Sequence, residues 1–97
     1  MFYVYMLESL YNGSHYVGAT GNLKRRLQEH NQGLNLSTKR YMPWKLIYYE
    51  ACLNRDDAAR REKWLKSTHG SRMTKARIRE YLRERSKDLT NRNSTTG

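Results

Sequence analysis

Residues 2–20, FYVYMLESLYNGSHYVGAT, predict a β-hairpin at the start of the chain. The run Phe2–Leu7 is β-branched, aromatic or long and apolar, and His15–Thr20 resumes this composition. Between the two runs, Asn12-Gly13 is a strong signal for a two-residue turn. The first two elements are therefore expected to be paired antiparallel strands.

The expected turn also predicts which tyrosines lie close together. A two-residue turn at Asn12-Gly13 would place Tyr5 opposite Thr20, and it would turn Tyr5 and Tyr16 to the same face of the sheet. A pair of strand tyrosines usually reflects packing and β-propensity. This pair gains interest only if charged groups from the helices converge on the same face.

The rest of the chain predicts three helices and one further strand. Their expected limits are a helix over Leu23–Gln32 ended by Gly33, a polar loop over residues 33–43, a strand over Trp44–Cys52, a second helix capped by Asn54 and ending about Ser67, and a third from Met73 or Thr74 to about Lys87. The prediction is an α+β fold in which helices flank a small three-stranded antiparallel sheet, in the order β-β-α-β-α-α. One domain over residues 1–87 would precede a disordered tail at 88–97.

The composition indicates a nucleic-acid partner. The chain has 97 residues, and its 19 Lys and Arg stand against 9 Asp and Glu, for a net charge of +10 and a pI near 10.1. A domain this basic is expected to bind a polyanion. No apolar run long enough for a membrane span occurs, and no signal-peptide pattern is seen. The lone Cys52 suits a reducing compartment, so a cytoplasmic monomer is expected.

Ionisable residues stand at core-facing positions in the first two predicted helices. One stripe of the first helix consists of Leu23, Arg26, Leu27 and His30. In the second helix, Glu62 follows Ala58 by four residues and precedes Leu65 by three, so its carboxylate faces inward. Two interpretations are open: Arg26 extends a packed stem into water and Glu62 forms a structural salt bridge, or both groups belong to a site.

These residues resemble the GIY-YIG nuclease family over the segment Phe2 to Arg79. The resemblance rests on the ordered set Tyr3-Val4-Tyr5, Tyr16-Val17-Gly18, Thr20, Asn22-Leu23-Lys24-Arg25-Arg26 and His30-Asn31. Tyr3 stands where the family name has Gly, valine replaces isoleucine at both centres, and Ala19 replaces a lysine that some members have. The family is known from DNA-repair incision subunits and homing endonucleases, so the resemblance implies a DNA endonuclease.

The resemblance also implies a role for each candidate catalytic residue. Glu62 would hold a divalent cation, Mg²⁺ or Mn²⁺, because such ions accept one carboxylate together with water and substrate phosphate. Arg26 would bind the scissile phosphate, and His30 would reinforce it. Tyr16 would be the general base, and Tyr5 would orient water or phosphate.

Basic residues outside this set are expected to contact the nucleic-acid backbone. They are Lys24, Arg25, Lys39, Arg40, Lys63, Lys66 and Arg72. Two alternatives stay open: a non-catalytic module that binds DNA or RNA on the same fold, and a protein whose basic surface only contacts ribonucleoprotein. Membrane binding is not expected.

Overall fold

The computed structural model describes residues 1–86 and has an α+β fold, as predicted. The elements are β1 (Phe2–Ser9), β2 (His15–Thr20), α1 (Leu23–Asn31), a short 3-10 helix (Lys39–Tyr41), β3 (Trp44–Cys52), α2 (Arg55–Lys66), α3 (Thr68–Arg77) and α4 (residues 79–86). The three strands form one antiparallel sheet in the order β2-β1-β3. The predicted tail at 88–97 lies outside the described residues. Within residues 1–86, no helix is long and apolar enough to cross a membrane.

The predicted hairpin register is wrong by two residues. Thr20 pairs with Tyr3 rather than with Tyr5, and Tyr16 pairs with Leu7. A slip of one residue would turn every side chain to the opposite face, whereas a slip of two leaves each on the same face. Tyr5 and Tyr16 therefore share a face, as predicted, although their strands pair differently.

The connection between β1 and β2 is longer than a two-residue turn because Ser9 organises it. The backbone N–H of Ser9 donates to the carbonyl of Ser14 at 2.8 Å, and the N–H of Gly13 donates to the carbonyl of Ser9 at 2.9 Å. The Ser9 hydroxyl also accepts the backbone N–H groups of Tyr11 and Asn12, each at 3.1 Å. Gly13 adopts a φ of +78°, a conformation that glycine takes without strain.

The two faces of the sheet carry separate hydrophobic clusters. On one face, Val4 packs with Ala58 and Leu65 of α2. On the other face, Tyr5, Leu7 and Trp44 pack with Leu23 and Leu27 of α1. Helices α1 and α2 therefore lie on opposite sides of the sheet, and β1 contributes alternate side chains to both clusters.

Capping side chains begin the first two helices. The Asn22 side chain accepts the backbone N–H of Arg25 at 3.0 Å, and Asn54 accepts that of Asp56 at 2.7 Å. Asn54 is thus the cap that the sequence predicts. Gly33, with a φ of +76°, follows the end of α1, in agreement with its predicted role as a helix terminator.

The predicted third helix is wrong in its start and in its continuity. Helix α3 begins at Thr68, directly after α2, because the Ser67 hydroxyl caps it by accepting the N–H of Gly70 at 3.0 Å. Gly70 lies in the first turn of α3. The helix ends at Arg77, and α4 continues after a break at Ile78.

A buried carboxylate ties α4 to the sheet. Glu8 is only 1% exposed, and it accepts a hydrogen bond from the Tyr81 hydroxyl at 2.9 Å. Its other partners are His15 of β2, at 3.0 Å, and the guanidinium of Arg85. A buried charge is retained only with partners of this kind. The half-buried residues of the segment 78–86 are Ile78, Tyr81, Leu82 and Arg85, whose spacing of three and four residues puts them on one stripe of the helix.

The close approach of α3 to α2 predicts that Gly70→Ala destabilises the fold. A Cβ atom at residue 70 would lie 2.7 Å from the carbonyl carbon of Trp64 and 2.9 Å from its indole Cδ2, so the helices would have to separate. Overpacking of this kind costs about 1–3 kcal/mol or more, which urea unfolding measures. Gly21→Ala is the control, because no atom lies within 4 Å of its Cβ position. Equal stabilities of the two variants would contradict the packing described.

Candidate active site

The Tyr5 side chain lies across the backbone of β2 because Gly18 has no side chain. Gly18 is the cross-strand partner of Tyr5. A Cβ atom on Gly18 would lie 2.6 Å from Cζ of Tyr5 and 3.1 Å from Cε1 of Tyr16. Gly18 therefore provides the space that the Tyr5 ring occupies. The rings of Tyr5 and Tyr16 have centroids 6.4 Å apart.

A buried hydrogen-bond chain fixes the Tyr5 hydroxyl. Tyr5 Oη lies 2.8 Å from Nε2 of His30, and Nδ1 of His30 lies 2.7 Å from the hydroxyl of Thr38. The Thr38 hydroxyl donates to the carbonyl of Asn35, so it accepts from the Nδ1–H of His30. His30 Nε2 then accepts the proton of the Tyr5 hydroxyl.

His30 is a buried neutral group, and this position differs from the one that its predicted role requires. Its side chain is 0% exposed and both ring nitrogens are hydrogen-bonded, so it does not face solvent beside Arg26. Burial lowers the pKa of His30, the charge of Arg26 lowers it further, and Glu29 partly offsets both effects. The sequence identified His30 from its place in the stripe, but helix periodicity does not tell which partners a side chain contacts.

Arg26 stands at the rim of an open polar pocket of about 240 Å³. The pocket is lined by Thr20, Asn22, Arg25, Arg26 and Glu29. The Arg26 side chain is 39% exposed, and its Nε lies 3.2 Å from the carboxylate of Glu29. Glu29 also approaches Arg25 at 3.4 Å. Glu29 follows these arginines by three and four residues, the spacings at which helical side chains of opposite charge meet.

Glu62 approaches the tyrosines from the other side of the sheet. It belongs to α2, which packs against the face opposite to Tyr5. Its side chain is 27% exposed, and among residues 1–86 its only ionic partner is Lys66, at 3.0 Å. Of the salt bridges that the sequence left open for Glu62, to Arg26 or to another basic residue, the structure shows the one to Lys66, whereas Arg26 pairs with Glu29. The expectation that Glu62 and the tyrosines share one sheet face needs correction, because α1 and α2 pack on opposite faces.

Ionisable groups from several elements of the fold influence the pKa of Tyr5. Burial is the main cause of the strong rise in the pKa of Tyr5, and the nearby Tyr16 hydroxyl adds to it. The charge of Arg26 lowers this pKa, whereas the carboxylates of Glu62 and Glu29 raise it. Residues from β1, β2, α1 and α2 thus act on one hydroxyl beside the edge strand β2.

One carboxylate of the site, that of Glu62, suits a hard divalent cation, although residues 1–86 contain no group of three or more potential protein ligands. Mg²⁺ binds with one or two carboxylates and otherwise keeps water or takes phosphate oxygens. Glu62 is half-buried, and within the described part of the chain its Oε2 pairs only with the half-exposed Lys66 side chain. A cation can displace such a partner, because an exposed ion pair at this helical spacing contributes only about 0.3–0.5 kcal/mol.

All seven residues predicted to bind nucleic acid are exposed. They fall into three groups, which are Lys24 and Arg25 at the start of α1, Lys39 and Arg40 in the 3-10 helix, and Lys63, Lys66 and Arg72 on α2 and α3. The loop that carries the second group is not only a polar connection as predicted. Its Thr38 is 0% exposed, because it bonds His30 and its carbonyl accepts the indole N–H of Trp44 at 2.7 Å.

The charges around His30 predict opposite shifts in two variants. Arg26→Gln removes a cation and raises the pKa of His30, whereas Glu29→Gln removes an anion and lowers it further. An NMR pH titration of the imidazole signals measures both changes, and His15 and His69 serve as internal references. Shifts of the same sign in the two variants would contradict the described arrangement.

The comparisons with known proteins identify the family of the chain. Among curated relatives, a UPF0213 protein of Streptococcus pneumoniae is 38% identical over 65 residues, which cover 66% of this chain and 65% of that protein. A UPF0213 protein of Clostridium perfringens is 39% identical over 67 residues, which cover 68% of this chain and 71% of that protein. The chain thus spans slightly less than two thirds of the first relative. No solved structure matches. The GIY-YIG catalytic domain, a nuclease domain, matches residues 1–77, and the chain belongs to this family.

Proposed function

We propose that the protein is a metal-dependent endonuclease that hydrolyses phosphodiester bonds in DNA. The observation that supports this most is the position of the Tyr5 hydroxyl, which lies over Gly18, 2.8 Å from His30 and beside Tyr16. Arg26 of α1 and Glu62 of α2, from helices on opposite faces of the sheet, shift its pKa in opposite directions. The two tyrosines pack together in one hydrophobic cluster, but that packing does not require a guanidinium and a carboxylate beside their hydroxyls. Phosphodiester hydrolysis needs such a set, because it depends on positioning and on stabilising charge.

Arg26 binds the scissile phosphate in this proposal. Its planar guanidinium carries a permanent charge and can donate two parallel hydrogen bonds to phosphate oxygens. Glu29, at 3.2 Å, aims the Nε side of the group, and the pocket beside it is open to solvent. Arg25 borders the same pocket and adds positive charge for the adjacent phosphate.

The two tyrosines receive different roles because their environments differ. The raised pKa of Tyr5 keeps its phenol protonated, and the hydroxyl donates its hydrogen bond to Nε2 of His30. The remaining lone pairs of Tyr5 can accept a hydrogen bond from the attacking water and orient it. Tyr16 is less buried than Tyr5, so we assign it the role of general base. His30 then acts as a positioning residue for Tyr5.

Glu62 would hold the divalent cation, Mg²⁺ or Mn²⁺. When bound, such an ion supplies positive charge that stabilises the phosphoryl and leaving oxygens. The exposed basic residues at the start of α1 and along α2 and α3 would hold the DNA backbone on either side. Lys66, once released from Glu62, becomes available to this surface.

The test compares Glu62→Gln with the parent protein on supercoiled plasmid and on single-stranded oligonucleotides, in Mg²⁺ or in EDTA. We expect cleavage by the parent in Mg²⁺ only, and a loss of roughly 100-fold or more in the variant, because the cation loses its carboxylate. DNA binding should be retained. Glu80→Gln is the matched control, because Glu80 lies on α4 with its side chain 67% exposed.

Two results would contradict the proposal. Cleavage by Glu62→Gln at the parental rate would show that Glu62 takes no part in the reaction. Salt-sensitive binding without cleavage by the parent, on every substrate, would favour the alternative of a non-catalytic DNA- or RNA-binding module.

In the same assay, Tyr16→Phe should lower the cleavage rate by about 100-fold or more, which is typical of losing a general base.

A further inference from the structure

An apolar groove lies next to the polar pocket of Arg26. It has a volume of about 540 Å³, within the range of small-molecule sites. Leu23 and Leu27 of α1 and Leu46 of β3 line it. Tyr3 and Tyr49 also line it and form an edge-to-face pair with ring centroids 6.1 Å apart. We call this feature the tyrosine groove.

Two observations show that the tyrosine groove and the polar pocket are direct neighbours. Asn22, the cap of α1, lines both of them. In addition, Tyr3 of the groove is the cross-strand partner of Thr20, which lines the polar pocket. Side chains of directly paired residues point to the same face, with Cβ atoms about 4.5–5.5 Å apart. A phosphate in the polar pocket and a base in the tyrosine groove would therefore be adjacent.

The chemistry of the groove matches a nucleobase. Tyr49 is 54% exposed, so much of its ring is free to form a new contact. Unstacked bases bind to tyrosine rings and apolar walls, while cations at the rim hold the attached phosphates. Lys24 provides such a cation at the rim of this groove. An apolar peptide would gain less from Lys24 and from the guanidinium beside it.

We propose that the tyrosine groove is a nucleobase subsite, and that the substrate carries an unpaired nucleotide beside the phosphate at Arg26. A base inside a duplex cannot enter the groove without leaving its stack, and this extrusion costs least in single-stranded, mismatched or damaged DNA. The proposal rests on the proposed nuclease function and specifies its substrate class. The enzyme would act at single-stranded or distorted positions and discriminate against perfect duplex.

The test measures equilibrium binding in EDTA, so that it does not depend on cleavage. The probes are a single-stranded oligonucleotide, the same sequence as a blunt duplex, and a single strand made of abasic nucleotides. We expect Tyr49→Ala to weaken binding of the single strand about 5- to 150-fold, the range for losing one base–tyrosine stack. Binding of the duplex should change less than about twofold, as expected when no stack is lost.

Two further variants make the test specific. Tyr49→Phe keeps the ring and should bind the single strand like the parent. Tyr11→Ala removes a tyrosine that is 73% exposed but lies in the hairpin connection, at the opposite end of β1, and should bind all probes like the parent. The abasic strand should bind parent and Tyr49→Ala equally, because it has no base to stack.

The proposal is overturned if Tyr49→Ala binds the intact single strand as tightly as the parent, or loses affinity equally for single strand and duplex. A difference between parent and Tyr49→Ala on the abasic strand would also overturn it. These outcomes are independent of catalysis. If the parent cleaves DNA and Tyr49→Ala binds normally, the subsite alone is rejected. If the parent never cleaves DNA, the nuclease function is rejected.

Discussion

The position of the Tyr5 ring over Gly18 is the constraint on which the candidate site depends. Tyr5 is 1% exposed and starts on the central strand, yet its hydroxyl must reach the edge of the sheet. It can do so only because the facing residue on β2 has no Cβ atom. The chain from His30 to Thr38 then holds the hydroxyl in place. The rigidity of the core therefore extends to the polar atom that borders the site.

Charge reaches that hydroxyl from both sides of the sheet. Helix α1 supplies Arg26 on one side, and α2 supplies Glu62 from the other. A bidentate ion pair helps to fix α2, because Arg61 donates to both oxygens of Glu50 on β3, at 2.7 and 2.9 Å. Arg61 is the immediate neighbour of Glu62, and its guanidinium also lies 4.1 Å from the ring centroid of Trp64. The rotation of α2 about its axis, and hence the direction of the Glu62 side chain, is thus set by contacts on the sheet face that α2 covers.

The sequence predicted those parts of the structure that follow from local rules. Hydrophobic runs located the strands, Asn54 located the start of α2, and helix periodicity identified Arg26, His30 and Glu62 as unusual. It did not predict the hairpin register, because the hydrogen bonds of Ser9 compete with the turn signal of Asn12-Gly13. The start of α3 was also missed.

Other features depend on the folded arrangement and could not be read from one chain. Thr38 lies in a polar loop, and only the fold brings it to His30. The approach of Glu62 from the opposite face depends on how α2 packs, since periodicity gives the inward direction but not the sheet face. Tyr3 stands where the family name has Gly. The contact between its ring and that of Tyr49 depends on the register of β1 against β3, which one chain does not reveal.

The most direct measurement of the central claim is anomalous diffraction from a crystal soaked in Mn²⁺ together with a short oligonucleotide that resists cleavage. We expect one strong peak at the carboxylate of Glu62, with Lys66 displaced and a phosphate between the ion and Arg26, beside the hydroxyls of Tyr5 and Tyr16. A Glu62 carboxylate still paired with Lys66, with the ion bound elsewhere or the phosphate remote from Arg26, would contradict it.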